Sequence, residues 1–371
     1  MSARNILLKN GGDILQWINK KQLNSHNPIL YSSVDIRESK FKIAPVDINL
    51  FPSGFNNFAD QIDLLRTRFS TYTKDKTRIG LLVENFTRNK NYLDNIKVLQ
   101  ECLNEAQLLT INPELMQVVE FVSDGNGAVV DLDQFDLIIL NNDLNISCPD
   151  DLLAIRDKVL PDPRLGWYSR RKNIHLEIYN KLIDDMCNDL KLNCDPWLFK
   201  TIITKCTNID FRKKIGLEEL AEQVDKTLIK ISEKYLEHSI KDTPHVFVKA
   251  NNGTFGMGVM VVESSDEILS INKKMRHSMS VLKYGISNME LVIQEGVETI
   301  LKVNNRPSEN VLYSITDQLI GKLVRYNQEK DFRSNLNSTG MEIVVSKELD
   351  IVDRILSKLC NLTTQIEIKS L

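Results

Sequence analysis

The sequence predicts a mixed α/β (α+β) protein built from more than one lobe, and three observations carry that prediction. Two short apolar runs, RIGLLV at Arg78–Val83 and FDLIIL at Phe135–Leu140, each end in a polar cluster. This suits buried strands of an open α/β sheet, whose ligands gather beyond the strands' C-terminal ends. The stretch 151–244 is rich in Lys, Asp and Leu and is broken by Pro161, Pro163 and Pro196, so it reads as mainly helical. From Val246 onward, strand-like segments alternate with polar loops rather than full helices, which predicts an antiparallel sheet.

Taken in order, residues 1–150 are expected to form an N-terminal α/β substrate lobe, with an amphipathic helix from Leu93 to about Leu108. Residues 151–244 form a mainly helical central region, and 245–371 carry the strands at Val246–Ala250, Gly258–Val262, Leu291–Gln294, Val311–Ile315 and Leu323–Tyr326. At 371 residues the chain has room for two or three subdomains. No internal repeat or low-complexity linker interrupts it.

Composition excludes several classes. No run of about 18 apolar residues exists, so no membrane span is expected. The N-terminus lacks an apolar signal core, which points to the cytoplasm. Net charge is −3 with both signs interspersed, which argues against nucleic-acid binding. Cys102, Cys148, Cys187, Cys194, Cys206 and Cys360 form no CxxC pair and read as reduced, mostly buried thiols. The five histidines form no metal motif.

The segment VFVKANNGTFGMGVMVV (Val246 to Val262) is the strongest local signal. A strand delivers Lys249, then Gly253, Gly256 and Gly258 precede a second strand. Glycines let backbone N–H groups approach an anion closely, and the lysine adds a positive charge. A dinucleotide fingerprint would read GxGxxG and open a helix, and a P-loop would place its lysine after the glycines. Neither fits. An ordinary hairpin with a solvated lysine remains the bland alternative.

The order strand-lysine, Gly-rich hairpin, strand resembles the ATP-grasp fold, in which two α+β subdomains clamp ATP. That resemblance implies ATP as co-substrate, with Lys249, Gly253, Thr254, Gly256, Met257 and Gly258 at its phosphates. LVIQEGVET (Leu291 to Thr299) resembles the hinge strand of that fold, which would put Gln294, Glu295, Gly296 and Val297 at the adenine. A late basic and acidic or amide cluster in such proteins holds Mg2+ and the γ-phosphate. Candidates are Arg306 and Arg325 as catalytic cations and Glu309, Asn335 and Asn337 as metal ligands. Magnesium accepts carboxylate and amide oxygens alike. Asn335 and Asn337 would share one face of an extended strand, although a polar loop before Gly340 reads equally well. The pattern departs from many members at Arg333-Ser334, where an acid usually precedes the asparagine, so Glu309, or Asp331 or Glu329, must supply it.

Further blocks identify a family. VDINLFPSGFNNF (Val46 to Phe58), ENFTRNKNY (Glu84 to Tyr92), LNNDL (Leu140 to Leu144), GWYSRRKNIHLEIY (Gly166 to Tyr179) and RSNLNSTGM (Arg333 to Met341) run through nearly the whole chain in order. They resemble the proteobacterial ATP-grasp glutamate–cysteine ligases, the first enzymes of glutathione biosynthesis. The resemblance implies joining of glutamate to cysteine through an acyl phosphate, with glutamate, cysteine and ATP as small-molecule partners and homo-oligomerisation left open. A glutathione synthetase-like ligase, an ATP-grasp small-molecule kinase and a degenerate nucleotide-binding protein are the alternatives.

Arg88 suits a carboxylate, which a guanidinium grips bidentately. Asp47 and Glu84 suit an α-ammonium group, and Asn49, Asn56, Asn57, Thr87, Asn89 and Asn142 supply neutral donors and acceptors. Arg170, with Arg171 and Lys172, is expected to face an acidic substrate or phosphate, a solvated helix face being the alternative for at least one of them. Trp167 reads as core and His175 as a structural hydrogen-bonder.

Overall fold

A computed structural model describes residues 2–22, 29–85, 88–122, 127–252, 258–280 and 289–371. Three sheets organise it.

The first sheet runs Gln117–Glu120, Gln107–Asn112, Ile79–Val83, Leu137–Asn141, Val159–Leu160 in spatial order. Its core is parallel, with Val83 opposite Asn141, so both strands end at the same edge. The strands Ile79–Val83 and Leu137–Asn141 are buried throughout, as covered parallel strands are. The helix joining Ile79–Val83 to Gln107–Asn112 spans Lys90–Cys102 and is capped by the Asn89 side chain. It ends earlier than the apolar spacing suggests. Asn104 and Glu105 adopt φ of +57°, and Gln107 and Leu108 are taken instead by parallel pairing with Gly80 and Leu81.

The second sheet is antiparallel, in the order Val259–Val262, Val246–Ala250, Met289–Glu295, Ile203–Ile209. The helix Leu217–Glu237 covers it, presenting Leu217, Leu220, Val224, Leu228 and Ile231 at helical spacing.

The third sheet cuts across the expected division at residue 150. Its order is Met341–Ser346, Gln318–Asn327, Arg306–Ile315, Tyr31–Glu38, Ile43–Asn49, with Lys302–Val303 paired to the start of Arg306–Ile315. The early hairpin thus belongs with late strands and not with the first sheet. Pairing of Tyr31–Glu38 against Arg306–Ile315 buries residues that a free hairpin would leave exposed. The helices Ala3–Gln22 and Ile351–Ser370 lie together over this sheet. Asp350 and Asp353 cap the second of them reciprocally. No helix among the described residues is long and apolar enough to cross a membrane. The six cysteines are unpaired, and all but half-buried Cys194 are buried.

Candidate active site

The third sheet presents a row of charges on one face. Asp35 and Arg37 lie two apart on their strand, so both side chains face the same way. Asp35 stands opposite Asp47, and Glu309 opposite Arg325. Arg325 Nη1 donates to Asp35 Oδ2 and Glu309 Oε1, both at 2.8 Å. Arg37 Nε donates to Glu309 Oε2 at 2.5 Å, and its Nη2 donates to the Ser334 carbonyl at 2.7 Å. Burial works against the Glu309 carboxylate, but Arg37 and Arg325 outweigh it and hold its pKa below the ordinary value. For Asp35 burial wins, reinforced by Glu309 and Asp47, and its pKa is raised.

The second sheet faces this row with Lys249, which stands opposite Val292 and Val259 in mid-sheet. Its Nζ donates to Gln294 Oε1 at 2.8 Å and to the Val46 carbonyl at 3.1 Å, bridging the two sheets. Burial lowers its pKa to about 8, against the pull of Asp47. Gly258 closes the hairpin with φ of +62°, a conformation that glycine adopts at little cost. Gly253, Thr254, Gly256, Met257 and Thr87 lie outside the described residues.

Between the sheets, Lys249, Gln294, Glu309, Asn335 and Asn337 line a cavity of about 60 Å³. Asp35, Asp47, Lys172 and Asn337 belong to its wall and also to that of a second cavity of about 480 Å³. Asn49, Asn56, Asn57, Asn89, Tyr313 and Arg325 border this larger space. The two form one cleft, with the lysine of the Gly-rich hairpin at one end and the asparagine blocks at the other. Asn335 and Asn337 sit in a loop, not on a strand, yet Leu336 between them is fully buried and both amides line the cleft.

Other expected residues are placed differently. The Glu295 carboxylate is buried and takes hydrogen bonds from Lys42 Nζ at 2.6 Å, Trp197 Nε1 at 3.1 Å and Ile202 N at 2.8 Å. Its side chain anchors the hinge and is not offered to a ribose. Gly296 N–H donates to the His245 carbonyl at 2.8 Å, and a Cβ on Gly296 would come within 2.2 Å of the His245 ring. Glycine is therefore required here for close packing. Val297 is buried.

Arg170 is also spoken for. It is 2% exposed, Nε and Nη2 donate to Glu367 at 3.0 and 3.3 Å, and Nη1 donates to the Ile48 carbonyl at 3.2 Å. His175 Nδ1 joins the same carboxylate at 2.9 Å. This triad ties the C-terminal helix to the Lys172–Asp189 helix, because a buried arginine must be paired where it stands. Asn142 spans the strand ends of the first sheet, donating to the Val83 carbonyl at 3.1 Å and accepting from Leu144 N at 3.0 Å. Glu84 is buried and accepts from Asp143 N at 3.1 Å. Arg88 is exposed. Arg306 is exposed outside both cavities, with Nη1 on the Gln328 carbonyl at 3.1 Å.

Asp35 and Arg37 were not singled out by sequence as site residues, whereas Lys172 was named with Arg170 and Arg171 and is the member of that triplet that lines both cavities. Lys172 opens the Lys172–Asp189 helix, pairs with Asp47 Oδ1 at 2.5 Å and lines both cavities. Its neighbour Arg171 points to Glu290 instead, Nε to Oε2 2.8 Å. For Asp35 and Arg37 the usable signal was the D-x-R alternation in YSSVDIRE, which marks one face without saying what that face meets.

Comparison with known proteins agrees with this arrangement. A family model described as glutamate-cysteine ligase matches residues 4–352. The crystal structure of a candidate gamma-glutamylcysteine synthetase from Methylobacillus flagellatus KT is 31% identical, with a TM-score of 0.82 over 98% of this chain and 95% of that one. D-alanyl-alanine synthetase A from Vibrio cholerae O1 biovar eltor str. N16961 is 15% identical with a TM-score of 0.39, covering 79% and 81%, a distance at which it says nothing of this chain's chemistry. No curated protein sequence matches. With its lysine-bearing hairpin sheet set across a cleft from a charged sheet, the chain has the ATP-grasp α/β fold and belongs to the glutamate–cysteine ligase family.

Proposed function

We infer that this chain joins the γ-carboxylate of L-glutamate to the amino group of L-cysteine at the expense of ATP. Family membership supports the reaction, and the observation that carries it to these residues is the single cleft joining Lys249 to the asparagine-lined cavity. A carboxylate is a poor electrophile, because its charge repels an amine and oxide is a poor leaving group. Attack of a γ-carboxylate oxygen on the terminal phosphorus of ATP expels ADP and leaves an acyl phosphate. The cysteine amine then attacks the acyl carbon, loses its proton and expels phosphate. No protein nucleophile is needed.

Lys249 and Arg325 are the cations placed to neutralise the transferred phosphoryl group. Arg325 is suited to it, since its buried Nε has no acceptor among the described residues. The cleft's oxygen donors fit a hard divalent cation: the carboxylates of Asp35 and Glu309 and the amide oxygens of Asn335 and Asn337. These residues would hold Mg2+, which when bound supplies charge neutralisation at the phosphates. Asp47 and the asparagines at 49, 56, 57 and 89 orient the amino acids. Closure of the two sheets over the intermediate would keep out water, which would otherwise hydrolyse the acyl phosphate. Six unpaired thiols suit a reducing cytoplasm.

The test is ADP release by the purified protein. It should require glutamate and cysteine together and yield a thiol dipeptide by mass spectrometry. Equal phosphate release without cysteine, or a phosphorylated hydroxyl as product, would overturn the reading. Glycine, alanine and 2-aminobutyrate as competing nucleophiles separate it from a glutathione synthetase-like ligation.

A further inference from the structure

Trp167 looks at first like a core residue, since only 2% of it is exposed. Its indole Nε1, however, is buried with no acceptor among the described residues. Leaving such a donor unsatisfied costs about 1–3 kcal/mol, and a phenyl ring would pack without that penalty. The residue borders the large cavity, and also a small space of about 10 Å³ that it shares with Asp47, Lys172 and Tyr179. A space of that size holds at most about one water.

The ring is held in place from several sides. Trp167 N–H donates to the Asp143 carbonyl at 2.9 Å. The Arg170 guanidinium lies 5.0 Å from the ring centroid and is itself locked onto Glu367. The preceding Gly166 lets the chain approach closely, because a Cβ there would sit 2.6 Å from Leu144 Cβ. Lys172 Nζ stands 4.7 Å from the same ring centroid and pairs with Asp47, whose side chain is 42% exposed. Trp167 with its unpartnered N–H, the Lys172 ammonium and the half-open Asp47 carboxylate thus border the same two spaces. That pattern complements the head of an α-amino acid, whose carboxylate needs a donor and a cation and whose ammonium needs an anion.

We propose that Trp167 Nε1 and Lys172 Nζ form the subsite for the α-carboxylate of an amino-acid substrate, with Asp47 beside them receiving its α-ammonium. This rests on the reading that amino acids occupy the cleft. The subsite serves either glutamate or cysteine, and analogues lacking only the α-carboxylate tell them apart: 4-aminobutyrate for glutamate and cysteamine for cysteine.

Trp167→Phe keeps the ring and deletes the N–H. It is expected to raise KM for one of the two amino acids roughly tenfold, the value of one such hydrogen bond, with KM for ATP unchanged. KM for that substrate's decarboxylated analogue should not move. Lys172→Met should act on the same amino acid, and Lys172→Arg should restore part of the loss, so the outcome does not depend on one variant folding. If substrate and decarboxylated analogue weaken equally, or if Trp167→Phe changes neither KM because a water satisfies the indole, the subsite is wrong. Calorimetric binding of each amino acid in the presence of ADP separates this from the ligase reading. Weakened binding in the variant without dipeptide formation by the wild type would keep the subsite and sink the ligation. Failure of the wild type to bind either amino acid would sink the subsite itself.

Discussion

Lys249 sets an alkaline limit on this cleft. Burial carries its pKa down to about 8, so the ammonium proposed to meet the ATP phosphates is lost as pH rises through that value. kcat/KM for ATP, which reports the free enzyme, should therefore fall above about pH 8, and Lys249→Arg should push that limb upward. An unchanged limb in the arginine variant would assign the titration elsewhere, Lys42 being the other buried lysine with a pKa near 8. Lys249→Ala should lower turnover by about 100-fold or more, on the scale of losing a fixed charge at a developing anion. The two arginines grouped together by sequence should separate. Arg325→Ala should cost a similar factor, whereas Arg306→Ala, at an exposed side chain outside the cleft, should stay within about twofold in steady-state kinetics. That Lys249 would lie at the cleft was legible from its place before the glycines, and Arg325, Asn335 and Asn337, which also line it, were reached only through the family resemblance. Asp35 and Arg37 were reached by neither route. Charges alternating along a strand look like an ordinary solvated face until a partner strand from the far end of the chain turns that face inward.

Elements carry charges that sequence alone assigns too readily to substrate. Arg170 sits in a basic triplet, but its register on the Lys172–Asp189 helix entry aims it at Glu367, and only Lys172 reaches the cleft. Arg170→Ala should thus lower unfolding stability by about 3–5 kcal/mol in denaturant titration, because Glu367 would remain buried without its main partner. The same helix entry is latched to the root of the Gly-rich hairpin. Lys172 N donates to the Asn251 carbonyl at 2.8 Å, Asn173 N to Asn251 Oδ1 at 3.0 Å, and Asn251 Nδ2 to Asn173 Oδ1 at 2.7 Å. Asn251→Ala should loosen the hairpin's base and raise the ratio of phosphate released to dipeptide formed, measured in one assay. A ratio equal to wild type would mean that the latch serves folding alone. Such a latch is invisible in sequence, since Asn251-Asn252 reads as turn chemistry and its partner is distant. Strands and helices themselves were largely readable, because their apolar periods are local properties.

Across the whole molecule, acid should act through His245 before it reaches most carboxylates. The residue is fully buried, neither ring nitrogen has a partner among the described residues, and burial with nearby Arg333 and Arg37 lowers its pKa to about 4. It stays neutral in the folded chain while an unfolded histidine takes up a proton near pH 6.5, so the folded state is favoured above that pH and loses ground as pH falls towards 4. Urea midpoints should drop over that window, and His245→Leu should flatten the drop. Loss of slope confined to pH below 4 would point to the carboxylates instead. The topology adds a consequence for biogenesis. Because the hairpin of Tyr31–Glu38 and Ile43–Asn49 meets the rest of its sheet only through Arg306–Ile315, a nascent chain leaving the ribosome carries that hairpin without its third strand through most of synthesis. The first sheet, whose strands lie within residues 79–160, can assemble long before that. The cleft is therefore completed last, when the late strands pair with the early hairpin, and a chain stopped short of them would keep an open strand edge at Tyr31–Glu38.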